Sequence, residues 1–124
     1  MENINELTFK IIGCAYKVHS KLGPGLLEST YEHCYAQELF LNDVKFDRQL
    51  ALPVIYENSK LDVGYRIDLL VEDRIIIELK SVEQIIPIHK AQLLTYMKLS
   101  GKQLGLLINF NVVSLKDGIT RMIL

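Results

Sequence analysis

The sequence predicts an α+β fold, a sandwich-like arrangement in which helices flank a mixed β-sheet. Three observations carry this. Apolar residues recur at helical intervals in three stretches, they switch to a period of two in the segments between, and the first three strands follow one another across short turns. A helix separates the third strand from the fourth, so the order reads ααβββαββ. With no internal repeat, linker or composition break, residues 1–124 are expected to form one domain.

Leu7, Ile11, Ala15, Val18 and Leu22 mark the first helix, opened by Asn3 and Glu6 at capping-box spacing. Gly23-Pro24-Gly25 cannot continue it, because proline has no N–H to give and glycine favours irregular backbone. A second helix is expected from about Leu26 to Leu41. From Val44 to Tyr56 every second residue shares one side of an extended segment, which predicts one strand. Glu57 to Lys60 is a turn, Leu61 to Val71 a second strand, and Arg74 to Lys80 a third beyond the tight turn at Glu72-Asp73. Pro87 opens a helix that Gly101 closes. The apolar run Leu104 to Phe110 is a fourth strand, and beyond a turn at Lys116-Asp117-Gly118 a short fifth runs from Ile119 to Leu124.

Hydrophobic residues form 49% of the chain and charged residues 23%, which excludes disordered and low-complexity classes. A net charge of −1 excludes a strongly basic coat, so phosphate contact would need a local patch or a bound cation. No stretch approaches a membrane span. The first ten residues lack the basic start and apolar run of a signal peptide, and Cys14 and Cys34 read as small core residues rather than metal ligands; a reducing cytoplasm is the expected home.

The third strand is Ile75-Ile76-Ile77-Glu78-Leu79-Lys80, a run apolar enough for the middle of a buried sheet. Glu78 and Lys80 interrupt it on one face, with Cα atoms about 6.7 Å apart, and pairing across Glu72-Asp73 brings Asp68 level with Glu78. A buried Glu78–Lys80 ion pair is the plain structural reading. Charge arithmetic opposes it, because two carboxylates about 4 Å apart repel by roughly 4 kcal/mol at an effective dielectric of 20 and one lysine neutralises only one of them. A proton, a second cationic side chain or a divalent metal is called for, and all-oxygen ligands suit Mg²⁺ or Mn²⁺.

Gly25-Leu26-Leu27-Glu28-Ser29-Thr30-Tyr31 matches a GxxExxY signature. The segments VHSKLGPGLLESTYE, YRIDLLVEDRIIIELK, HKAQLLTYMKL and GLLINFNV, in this order along nearly the whole chain, resemble the GxxExxY proteins, a family assigned to the PD-(D/E)xK nuclease-like superfamily. The resemblance implies a restriction-endonuclease-like core. It places the acidic pair on Asp68 and Glu78 and the lysine on Lys80, with Ile67 where the superfamily carries proline. Glu28 resembles the helix-one glutamate that some members add to the metal site; its alternative is an exposed acid favoured by a helix N-terminus. A polar residue bordering the site is implied at Gln92.

The remaining polar residues have plainer roles. Tyr96, on the face of Gln92, reads as a core residue with its hydroxyl at the edge, and His89 as a solvated or capping residue. His19 is expected to bond the last carbonyls of its own helix. Tyr31, three residues after Glu28, would pack beside that acid and orient it.

The resemblance implies a Mg²⁺- or Mn²⁺-dependent nuclease, its metal held by Asp68, Glu78, the Leu79 carbonyl and Glu28, acting on DNA or RNA. The alternative is a nuclease-fold module without turnover that binds protein or nucleic acid. A homodimer would cover an open sheet edge near Met122-Ile123-Leu124.

Overall fold

A computed structural model describes residues 2–124. Helix α1 (Ile4–Leu22) starts at Asn3, whose side chain accepts the Asn5 N–H at 2.8 Å. It ends at Gly23, whose φ of 69° and ψ of −174° are a conformation open to glycine. Helix α2 covers Glu28–Leu41, starting two residues later than expected, so that Glu28 is its first residue.

Strand β1 (Phe46–Ala51) is followed by a hairpin of β2 (Val54–Tyr56) and β3 (Ser59–Leu61), then by β4 (Arg66–Val71) and β5 (Ile75–Lys80). Helix α3 (Pro87–Ser100), β6 (Leu104–Asn109), a 3-10 turn at Leu115–Gly118 and β7 (Ile119–Ile123) complete the chain. The main sheet has the order β1-β4-β5-β6-β7, and β5 and β6 are parallel while the other neighbours are antiparallel. The mixed α+β architecture is the one predicted, with a hairpin inserted into it.

Two strand expectations need correction. The segment from Val44 to Tyr56 is two strands: the Leu52 N–H still bonds the Tyr65 carbonyl at 2.9 Å, in register with the β1–β4 pairing, but Pro53 next to it has no N–H to carry the ladder further. The segment from Leu61 to Val71 breaks where Asp62 accepts the Gly64 N–H at 3.1 Å and Gly64 takes φ 86°. Apolar periodicity ran through both breaks unchanged.

Alternation along β5 divides the core. Ile75, Ile77 and Leu79 face α1 and α2, in one cluster with Leu7, Ile11, Tyr31, Tyr35 and Phe110. Ile76 faces the other way, in a cluster with Leu93, Tyr96 and Met97 of α3. The α3 layer comes close because Gly105 lies beneath it: a Cβ there would sit 2.8 Å from Met97 Sδ. Gly118 permits a second close approach, since a Cβ would collide with the Asn109 carbonyl.

Candidate active site

The β4–β5 ladder is regular from Val71↔Ile75 to Leu69↔Ile77 and then stops. One residue further, Asp68 Oδ2, not a strand carbonyl, accepts the Leu79 N–H at 2.8 Å. The two strands thus fork, and the Asp68 and Glu78 carboxyls meet in the fork within hydrogen-bonding reach of each other. Within a strand the N–H and C=O of one residue point to the same side, so the Leu79 carbonyl opens to the fork as well.

Glu78 is buried at 7% exposure, and among the described residues its Oε1 has no hydrogen-bond partner. Desolvation, followed by the hydrogen bond and charge of Asp68, pushes its carboxyl up to about 10, and Lys80 offsets only part of this. Lys80 stands half-buried at the strand end, and among the described residues it makes no ion pair, with Glu78 or any other acid. The ion-pair reading of this strand therefore fails on geometry.

Glu28 is exposed at the head of α2 and lies close enough to Asp68 and Lys80 to feel both charges. Partial desolvation and then Asp68 raise its carboxyl above the usual range. It does not close up with the pair: among the described residues no three His, Cys, Asp or Glu side chains gather tightly enough to hold a metal ion. Gln92 lies farther out, on the exposed side of α3, where its amide donates to the Tyr96 hydroxyl at 2.9 Å. Tyr96 links it to the fork, for desolvation and then the charges of Glu78 and Asp68 resist loss of its phenolic proton.

The tyrosine of the signature behaves differently from expectation. Tyr31 is fully buried against Phe110, with stacked rings 4.6 Å apart, and its hydroxyl donates to the Gly23 carbonyl and accepts the Leu26 N–H. It clamps the loop ahead of Glu28 and does not orient the Glu28 carboxylate. Ser81, just after Lys80, donates to the Leu26 carbonyl and ties the same loop to the end of β5. His19 bonds the Val112 carbonyl at 2.7 Å rather than the carbonyls of its own helix. His89 caps α3 by accepting the Ile86 N–H at 3.1 Å.

Two contributors escape a reading of the sequence. Gln49 adopts φ 50° within β1, and its amide donates to Glu32 at 2.7 Å and to Asp68 at 3.2 Å. Glu32, buried on α2, also receives Arg48 at 2.9 Å. These contacts join residues 16 to 19 positions apart, and a glutamine between Arg48 and Leu50 carries no local signal of them.

The donor set fits a hard divalent cation. Two facing carboxylates, one with a bare buried oxygen, and an open carbonyl suit an ion that keeps several of its own waters. Helices on both faces of a mixed five-stranded sheet, with this carboxylate pair and lysine at a strand fork, define a restriction-endonuclease-like fold. The chain belongs to the PD-(D/E)XK nuclease superfamily, whose family model matches residues 5–122. Neither the curated proteins nor the solved structures yielded a match. No helix among the described residues is long and apolar enough to cross a membrane.

Proposed function

We propose that this chain hydrolyses phosphodiester bonds of DNA or RNA with Mg²⁺ or Mn²⁺, as a member of the GxxExxY group within its superfamily and in a cytoplasmic setting. The observation that carries the reading is the Glu78 oxygen that finds no hydrogen-bond partner among the described residues, buried against the Asp68 carboxylate while Lys80 makes no ion pair among them. A structural charge cluster would have spent its lysine on its acids.

Asp68, Glu78 and the Leu79 carbonyl would hold the ion, with Glu28 reaching it through a water. The bound ion supplies charge neutralisation at the phosphate and acidifies a water. Lys80 orients the attacking water or meets the charge that develops on the phosphate oxygens, and Glu78 takes up a proton. Gln49 and the Leu79 N–H hold Asp68 from two sides, so that its remaining lone pairs face the fork. Gln92 borders the site through Tyr96 and meets substrate rather than the ion.

The test compares wild type, Lys80→Ala and Asp68→Ala on single-stranded and duplex substrates with Mn²⁺. Wild type should cleave and chelation should stop it. Lys80→Ala should lose about a hundredfold or more in rate while keeping the stabilisation by Mn²⁺, and Asp68→Ala should lose both. Equal cleavage by wild type and Lys80→Ala would overturn the assignment. The exposed apolar Ile55 and Tyr56 of the hairpin favour a second reading, a binding module without turnover. It predicts strand binding and no cleavage on any substrate.

A further inference from the structure

A cavity of about 330 Å³ opens beside the fork, between the loop that enters β4 and the outer face of α3. Tyr65 and Tyr96 wall it with rings 5.9 Å apart, Ile88 adds an apolar edge, and Gln92 and Thr95 supply polar groups. Its position relative to the acids follows from the chain. Tyr65 lies three residues before Asp68, and Tyr96 belongs to the buried cluster of Ile76, whose neighbour on the same face of β5 is Glu78; the Glu78 and Asp68 charges both reach the Tyr96 hydroxyl. Tyr65 is 45% exposed and Ile88 65% exposed, yet Tyr65 is fixed at its backbone, where the carbonyl accepts the Leu52 N–H.

We propose that this cavity binds one unpaired nucleobase of the substrate strand, next to the phosphate that the fork receives. The inference rests on the phosphodiesterase reading and names its substrate as a strand with at least one unstacked nucleotide. A nucleobase is flat and apolar on its faces and polar at its edge. An aromatic wall meets the face, and the Gln92 amide and the Thr95 and Tyr96 hydroxyls meet the edge. A base paired within a duplex presents neither its face nor that edge, so pairing must be absent or broken at this nucleotide. Stacking tolerates any base, and the subsite accordingly favours single strands over duplex with little sequence preference.

The experiment measures binding, with Ca²⁺ present, of two labelled strands of equal length: oligodeoxythymidine and the same backbone without bases. Wild type should bind the base-bearing strand about tenfold more tightly. Tyr65→Ala should reduce that strand to the level of the abasic one, Tyr65→Phe should restore it, and the abasic strand should bind all three alike. Ile88→Ser, at an exposed helix position, should give a smaller loss of the same kind and keeps the test open if Tyr65→Ala fails to fold. Equal binding of the two strands by wild type, or no effect of either variant, would overturn the base subsite and leave the phosphodiesterase reading standing. Failure to bind either strand would overturn the subsite too, whereas the phosphodiesterase reading is judged separately by Mn²⁺-dependent stability and cleavage.

Discussion

At the scale of single residues, Glu78 makes the clearest demand. Its carboxyl is pushed up to about 10 from 4.5, so between those values the folded protein holds a proton that the unfolded chain has released. Stability contributed by this group is full below the unfolded value and falls as pH rises through the window. Glu78→Gln removes the dependence. Its advantage over wild type in urea unfolding should therefore grow from about pH 5 to about pH 9, and a constant difference would show that Glu78 does not carry the proton. Because a divalent ion must displace that proton, Mn²⁺ should bind more tightly at higher pH and release close to one proton per ion. Calorimetry in two buffers of different ionisation enthalpy measures this. Asp68→Asn should abolish the stabilisation by Mn²⁺, which at a hundredfold excess over the dissociation constant is about 2.7 kcal/mol.

The placement of Asp68, Glu78 and Lys80 could be argued from the sequence because alternation and one tight turn suffice to align them. Gln49 could not, since its contribution depends on a left-handed backbone and on partners from another layer.

Among elements, the loop from Gly23 to Leu27 shows how a signature can serve geometry. Glycine and tyrosine of the motif shape and clamp the chain so that Glu28 opens α2 beside the sheet end. Tyr31→Phe leaves the Gly23 carbonyl and the Leu26 N–H, in part-buried bonds, without their partner, and should cost about 0.5–1.5 kcal/mol in chemical unfolding. The predicted helices survived nearly intact because their apolar spacing spans several turns. The two long strands did not, because Pro53 and the Asp62–Gly64 turn interrupt hydrogen bonding without disturbing the apolar period. Packing of α3 on the sheet is equally specific. Gly105→Ala pushes a methyl group against Met97 and Leu93, and should lower stability by about 1–3 kcal/mol, measured the same way.

For the whole molecule, the sheet order leaves β1 and β7 as edges, and β7 ends in Ile123 at 72% exposure and Leu124 at 50%. Exposed apolar edges invite pairing. A dimer joined along β7 is the expected state, and it would place two forks on one nucleic acid; Ile123→Lys should shift it to monomer in sedimentation, whereas a wild-type monomer at micromolar concentration would exclude it.

The parallel pairing of β5 with β6 has a consequence for biosynthesis. β5 is complete at Lys80, but its central partner begins at Leu104, so during translation the edge formed by Ile75 to Lys80 waits for α3 and the linking turns before it is covered. All six residues of β6 are buried. A chain released between these two strands would carry an uncovered run of isoleucines at the site's own strand, a segment prone to associate with other chains. A purified fragment ending after Lys80 should thus associate more strongly in light scattering than one ending after Asn109, in which β6 can already cover β5.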